Sequence, residues 1–312
     1  MNYLRITLLL LLLSSTVFSN SMNIYQYQKN IQDAKKLYLS KTPPLHISYE
    51  NSVNNGDTLL IQINEKNISD VKLTFKDINL PFYKNPFKKN SFYALVPISY
   101  YNKTSNEKVI ISYVRNNIRE FTSAKIRVKQ GNYKSEKIKV ANSKVNLSQN
   151  NSERTAKEYK EAMEIYNTNS SEILWKKDFI MPMFSKITSN FGTKRVYNDQ
   201  LKSFHSGIDF KADVGSRVVA ANDGIVKFVG DRFYSGNSII IDHGQGIYTC
   251  YFHLSKILVK ENQKVSKKDL IALSGDTGRI TGPHLHFGVR VHGELVNPKN
   301  LFTLLNKLNE KY

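Results

Sequence analysis

GPHLHFGV, residues 282–289, decides how the second half of this chain is read. Its histidines, His284 and His286, are two apart, and Leu285 and Phe287 take the alternate positions. Side chains at i and i+2 of a strand share a face. A strand here therefore sends both histidines into one space and both apolar side chains into a core. Upstream, IYTCYFHL (247–254) has the same period. It places Tyr251 and His253 on one face and Cys250, Phe252 and Leu254 on the other. HSGID (205–209) sets His205 and Asp209 either side of Gly207, whose missing side chain permits close approach. Six of the seven histidines lie beyond residue 204, so four of them and an aspartate can converge on one sheet face.

Imidazole together with carboxylate suits Zn²⁺, and three protein ligands with a fourth position open is the catalytic arrangement. A structural zinc is more often closed by cysteines, and Cys250 is the only cysteine. Two histidines would remain as acid/base groups or oxyanion donors beside a metal that lowers the pKa of water. The other candidates have blander readings. His243 in DHGQG and His292 in VHGEL are turn residues, and His46, next to Pro43 and Pro44, is structural. Cys250 reads as a buried thiol rather than a nucleophile. Tyr251 either lines the groove or packs.

Working outward, RVVAANDGIVKFVG, NSIIIDHGQGIYTCYFHLS and DLIALSGDTG alternate around Gly and Asx turns, with DHGQG a hairpin signal. Residues 176–312 form a mostly antiparallel β domain. Before it, SQNNSERTAKEYKEAMEIYNTNS reads as a helix in a linker over 143–175. Ser152 is its expected N-cap, Glu153 and Glu158 lie in its first turns, and Tyr159, Met163 and Tyr166 form an apolar stripe. Residues 45–142 hold short alternating strands such as DTLLIQINEK and SFYALVPISYY, the pattern of an immunoglobulin-like β-sandwich. Residues 20–44 are an N-terminal arm. Residues 1–19, with Arg5, an apolar run over 6–13 and VFS at 17–19, read as a secretory signal peptide. The apolar run is shorter than the roughly 20 residues of a membrane span, which favours export to the periplasm or cell envelope. Membrane attachment would come only through an uncleaved signal segment. The net charge of +19 is spread along the chain, without basic–aromatic alternation. It points to an anionic envelope surface and not to nucleic acid.

HSGID, YFHL and GPHLHFGV together resemble the three motifs of the lysostaphin-type (LytM-like) zinc peptidases, which cut peptidoglycan cross-links. ITSNFGTKR (187–195), GSRVVAANDGIVKFVG (215–230) and GELVNP (293–298) extend the resemblance over about 176–302. It implies one Zn²⁺ per chain, held by His205, Asp209 and His286, with His253 and His284 as catalytic histidines. Members that have lost activity typically lack some of these residues, and all five are present here. The implied function is an exported D,D-endopeptidase hydrolysing stem-peptide cross-links in cell-wall remodelling or cell shape. Its partner is peptidoglycan, with other cell-wall enzymes or regulators as further candidates. Two alternatives stay open: a D,D-carboxypeptidase of the same chemistry, and a non-enzymatic activator or scaffold. The upstream region is expected to limit substrate access, by occlusion or by positioning on the wall.

Overall fold

The computed structural model describes residues 28, 29, 31–33, 44–139, 147–168, 170–199 and 201–308. Residues 1–19, read above as a signal peptide, most of the expected arm and the start of the expected linker lie outside the described residues. No helix among the described residues is long and apolar enough to cross a membrane.

Residues His46–Tyr312 make one compact unit. Its upstream strands form two sheets, matching the alternation read above. One runs in the order β1 (Ile47–Tyr49), β3 (Thr58–Asn64), β7 (Ser91–Pro97), β6 (Tyr83–Lys84). The other runs β2 (Ser52–Asn54), β9 (Ile118–Lys129), β8 (Ser105–Arg115), β4 (Ile68–Phe75), β5 (Ile78–Pro81). The long β8–β9 hairpin turns at Asn116 and Asn117, both in the left-handed conformation that Asn tolerates.

Strand β10 (Ser135–Ile138) belongs to neither sheet. It pairs in parallel with β12 (Lys194–Tyr197), which pairs with β13 (Leu201–Phe204). The large downstream sheet has the path β11 (Ile187–Ser189), β14 (Gly207–Lys211), β21 (His284–Val291), β18 (Ile247–Ile257), β17 (Gly236–Asp242), β16 (Gly224–Arg232), β19 (Lys264–Val265). Strands β15 (Arg217–Val219), β20 (Leu270–Ser274) and β22 (Glu294–Val296) branch from it. The DHGQG hairpin joins β17 to β18 as read.

Leu285, Phe287, Val289 and Val291 of β21 are fully buried; Leu285 is in register with Phe210 of β14, and the other three with Tyr251, Thr249 and Ile247 of β18. Burying one such apolar side chain contributes about 1.5–3 kcal/mol, so this row anchors the central strand. The same apolar cluster takes in Leu60, Tyr83, Tyr93 and Leu95 from the first of the upstream sheets. Hydrogen bonds lock that seam. Thr58 N donates to Asn300 Oδ1 (2.7 Å), Asn297 N to Gly56 O (2.8 Å), and Tyr93 Oη to Gln245 Oε1.

Helix α1 (Gln149–Tyr166) corrects two expectations. Its N-cap is Ser148, whose hydroxyl accepts from Asn151 N (3.3 Å). Ser152 lies inside the first turn and donates its N–H to Ser148 O (2.9 Å). The docked face is Ala162 and Tyr166, packed on Ile240, Tyr248 and Cys250, with Met163 half-buried beside them. Tyr159, the first member of the expected stripe, is 65% exposed. The helix is oriented instead by Glu158, which accepts from Phe233 N (2.9 Å), and by Arg154, which donates to Asp231 (2.8 Å). Helix α2 (Pro298–Lys307) closes the core with Leu301, Phe302 and Leu305.

Candidate metal centre

The centre is a cross-strand row. Asp209 on β14 sits in register with His286 on β21, which sits in register with Phe252 on β18. Cross-strand partners share a face, so Asp209, His286 and Phe252 lie side by side. The Phe252 and His286 rings stack, with centroids 5.3 Å apart and planes 2° apart. His205, just before β14, brings its ring to the same point. Gly207 makes this approach possible, because a Cβ there would lie 2.3 Å from Phe287 O and 2.8 Å from His286 Nε2.

His205 Nε2, Asp209 Oδ1 and His286 Nδ1 form a triangle with sides of 2.8, 2.9 and 3.0 Å. All three residues are buried. Ligands held at Zn–N and Zn–O distances in a tetrahedron stand about 3.3 Å apart, so the triangle is close to the size such an ion needs. The donor chemistry fits as well. His205 Nδ1 lies 2.9 Å from Asn190 O, which can only accept, so Nδ1 carries the proton and Nε2 presents a lone pair. Burial pushes the His286 imidazole down to about 4, against the opposing pull of Asp209. Burial also resists ionisation of Asp209, but the adjacent His205 and His286 outweigh it and hold this carboxyl well below the usual range. A lone-pair nitrogen, a neutral imidazole and a carboxylate facing one point suit a divalent cation.

His253 and His284 stand beside the triangle. Their ring centroids are 4.8 Å apart, and His253 is 6.1 Å from the His286 ring. His253 Nδ1 donates to Thr277 O (2.8 Å) and His284 Nδ1 to Gly282 O (2.8 Å), leaving each Nε2 unprotonated in the neutral ring. His284 Nε2 lies 3.7 Å from Asp209 Oδ1. Burial first, then the neighbouring His286 and His284, lowers the His253 pKa to about 3.

The structure thus brings together all five expected residues, but by a different route at His253. Tyr251 and His253 do not share a face. Tyr251 is fully buried in the core, its hydroxyl accepting from Ala221 N (2.9 Å), which rules out a groove-lining role. His253 has φ +62°, and the pairing register of β18 slips on both sides of it. This bulge breaks the pleat. It turns His253 towards the metal face and returns Leu254 to the core with Tyr251, away from Cys250 and Phe252.

The remaining candidates stay out of the centre. His243 is fully buried, donating to Asp223 O (2.7 Å) and accepting from Thr249 Oγ1 (2.8 Å). His292 occupies the left-handed position of the β21–β22 turn and stacks on Tyr83. Cys250 is buried 3.2 Å from the Tyr166 hydroxyl, and burial raises its pKa. Sequence reasoning attached no role to Arg195, although it closes ITSNFGTKR. Arg195 donates to Asp209 Oδ2 (2.9 Å) and to Glu136 Oε1 (2.7 Å). Glu136 and Ile138 of β10, with Arg195, Arg279 and Thr281, line a cleft of about 370 Å³ that opens onto Asp209, His253, His284 and His286.

Residues 203–298 match peptidase family M23. The peptidoglycan DD-endopeptidase ShyA of Vibrio cholerae is 45% identical over 113 residues, 36% of this chain and 26% of that protein. The DD-carboxypeptidase/endopeptidase Mpg of Neisseria meningitidis serogroup B is 38% identical over 116 residues, 37% of this chain and 27% of that protein. The chain therefore spans about a quarter of the length of these curated relatives. A crystal structure of an M23 peptidase from Pseudomonas aeruginosa superposes with a TM-score of 0.57 at 22% identity, covering 80% of this chain and 94% of that one. That likeness of fold reaches beyond residues 203–298 into the upstream sheets.

Proposed function

We propose that this chain, whose residues 203–298 form a peptidase family M23 domain, is an exported zinc metalloendopeptidase acting on stem-peptide cross-links of peptidoglycan. The observation that carries the reading is the convergence of two imidazoles and a carboxylate within 3.0 Å, flanked by two more imidazoles with free Nε2 atoms. The name of the relative ShyA points to the same substrate class, and that of Mpg to DD-endopeptidase and DD-carboxypeptidase chemistry.

His205 Nε2, Asp209 Oδ1 and His286 Nδ1 would hold one zinc per chain. When bound, zinc supplies a Lewis acid for the scissile carbonyl and lowers the pKa of a coordinated water. The chain's own residues do the rest. His253, neutral at working pH, offers Nε2 to take a proton from the attacking water. His284, anchored through Nδ1, places Nε2 at the mouth of the site. There it can hold a proton for the developing oxyanion or deliver one to the leaving amine. Thr277 O and Gly282 O fix both tautomers, so no ring need flip between steps. The cleft wall formed by β10 agrees with an upstream region that shapes access to the site.

The test is digestion of purified peptidoglycan with the purified chain, followed by mass spectrometry. Cross-linked dimers converted to monomers are the expected product. Loss of terminal D-alanine without dimer cleavage would establish the carboxypeptidase instead, and no product from zinc-loaded protein would leave the non-enzymatic role.

A further inference from the structure

We propose that Glu136 and Arg195 form a positioning relay for the Asp209 carboxylate, making strand β10, outside the M23 match, a working part of the metal centre. The inference rests on the reading of His205, Asp209 and His286 as zinc ligands. Asp209 divides its two oxygens. Oδ1 faces His205 and His286, while Oδ2 accepts from Arg195 at 2.9 Å. That bond fixes rotation of the carboxylate and keeps Oδ1 aimed at the ligand triangle. The same guanidinium nitrogen lies 3.2 Å from Ser189 Oγ, which is 3.1 Å from His205 Nδ1. Arg195 thus supports two of the three metal-facing residues from behind.

A guanidinium held this close to a divalent cation would oppose its binding. Glu136 answers that problem. It sits in direct register with Arg195 across the parallel β10–β12 pair, and its Oε1 accepts from Arg195 Nε at 2.7 Å. Asp209 and Arg195 alone sum to zero charge, whereas with Glu136 the row carries a net −1. The Arg195 side chain is 17% exposed and that of Asp209 8%, so their contact is little screened, whereas the Glu136 side chain, 37% exposed, faces water in part and its compensation is correspondingly reduced. The planar fork of Arg reaches both carboxylates at once, which the single ammonium of Lys cannot reproduce.

The test uses the full chain and zinc dissociation constants from competition with a chromophoric chelator. Arg195→Gln is expected to weaken zinc binding by about 10–100-fold, the usual range for partners that orient metal ligands. Arg195→Lys should fail to restore it, and Glu136→Gln should weaken it by about 10-fold, the low end of that range. Because Glu136 acts chiefly by holding and neutralising Arg195, the double variant should lose less zinc affinity than the two single losses multiplied. Near-UV circular dichroism selects the variants that keep the native packing. If Arg195→Gln does not fold, Arg195→Lys and Glu136→Gln carry the test. Unchanged or tighter zinc binding in the folded variants, or losses that multiply in the double variant, would overturn the relay. If wild-type protein binds zinc and Asp209→Ala abolishes it while Arg195→Gln does not, the relay alone falls. If wild-type protein binds no zinc, the metal reading falls and takes the relay with it.

Discussion

Gly207 offers the sharpest test of how the backbone builds the centre. A Cβ on Gly207 would sit 2.3 Å from Phe287 O and 2.8 Å from Phe287 C, both backbone atoms of β21 that no rotamer change can move. Restoring ordinary contact at about 3.4 Å requires β14 and β21 to part by roughly 1 Å, about a fifth of normal strand spacing. Overpacking of this kind costs about 1–3 kcal/mol, and a backbone obstacle puts Gly207→Ala at the upper end. At about 2–4 °C per kcal/mol for a unit of this size, melting should fall by roughly 5–10 °C. The effect on metal should be larger. Asp209 and His286 are the register pair two residues along the same two strands, and metal sites tolerate displacements of only about 0.2 Å. Zinc affinity should therefore drop at least about tenfold. Gly288, the register partner of Gly207, is the control, since a Cβ there meets nothing closer than 3.6 Å. Gly288→Ala should melt within roughly 2 °C of wild type. Differential scanning calorimetry and chelator competition on the two variants decide the matter. Equal melting and equal zinc affinity in Gly207→Ala, Gly288→Ala and wild type would refute the close-approach argument.

Three further outcomes are expected. His205→Ala, Asp209→Ala and His286→Ala should each emerge from purification without stoichiometric zinc by elemental analysis; full occupancy in any one removes that residue from the ligand set. His253→Ala and His284→Ala should retain zinc yet turn over muropeptides about 10²–10⁴-fold more slowly, and a wild-type rate in either would cancel its assigned role. The third concerns pH. Burial holds the His243 pKa at about 4, below the ordinary value near 6.5. The unfolded chain therefore takes up this proton first, and stability contributed by His243 falls as pH drops from about 6.5 to about 4, by up to roughly 3 kcal/mol. Denaturant titrations of His243→Gln should show a shallower fall over that window, and slopes equal to wild type would contradict the assignment.

The alternation in GPHLHFGV was legible because β21 is paired on both sides over a continuous register, so parity holds from His284 to Val291. The same rule failed in IYTCYFHL for a local reason. The left-handed His253 costs the strand one step of phase, and nothing in the residue types marks it, since Gly or Asn would be the usual signature. Its place in the centre came from the motif resemblance rather than from periodicity. The helix was visible, but its docked face was not. Tyr159 and Tyr166 look equivalent by spacing, and only the position of Tyr248 and Cys250 on the sheet decides which is covered. Glu136 and Arg195 were illegible for a third reason. They are 59 residues apart, and their meeting depends on a parallel strand pair that no local pattern announces.

The seam between the upstream sheets and α2 also governs when this molecule becomes complete. Its hydrogen bonds span most of the chain, with Thr58 tied to Asn300 across 242 positions and Asp57 to Asn297 across 240. Contacts so distant in sequence form late and slowly. A chain emerging from a ribosome displays β1 to β10 long before the partners that cover Leu60, Tyr93 and Leu95 exist. The five-residue centre likewise draws its last members from 284 and 286. Partly made chains therefore carry exposed apolar surface and no assembled centre, a state that invites proteolysis. Topology alone postpones assembly of the centre until the chain has been made past His286.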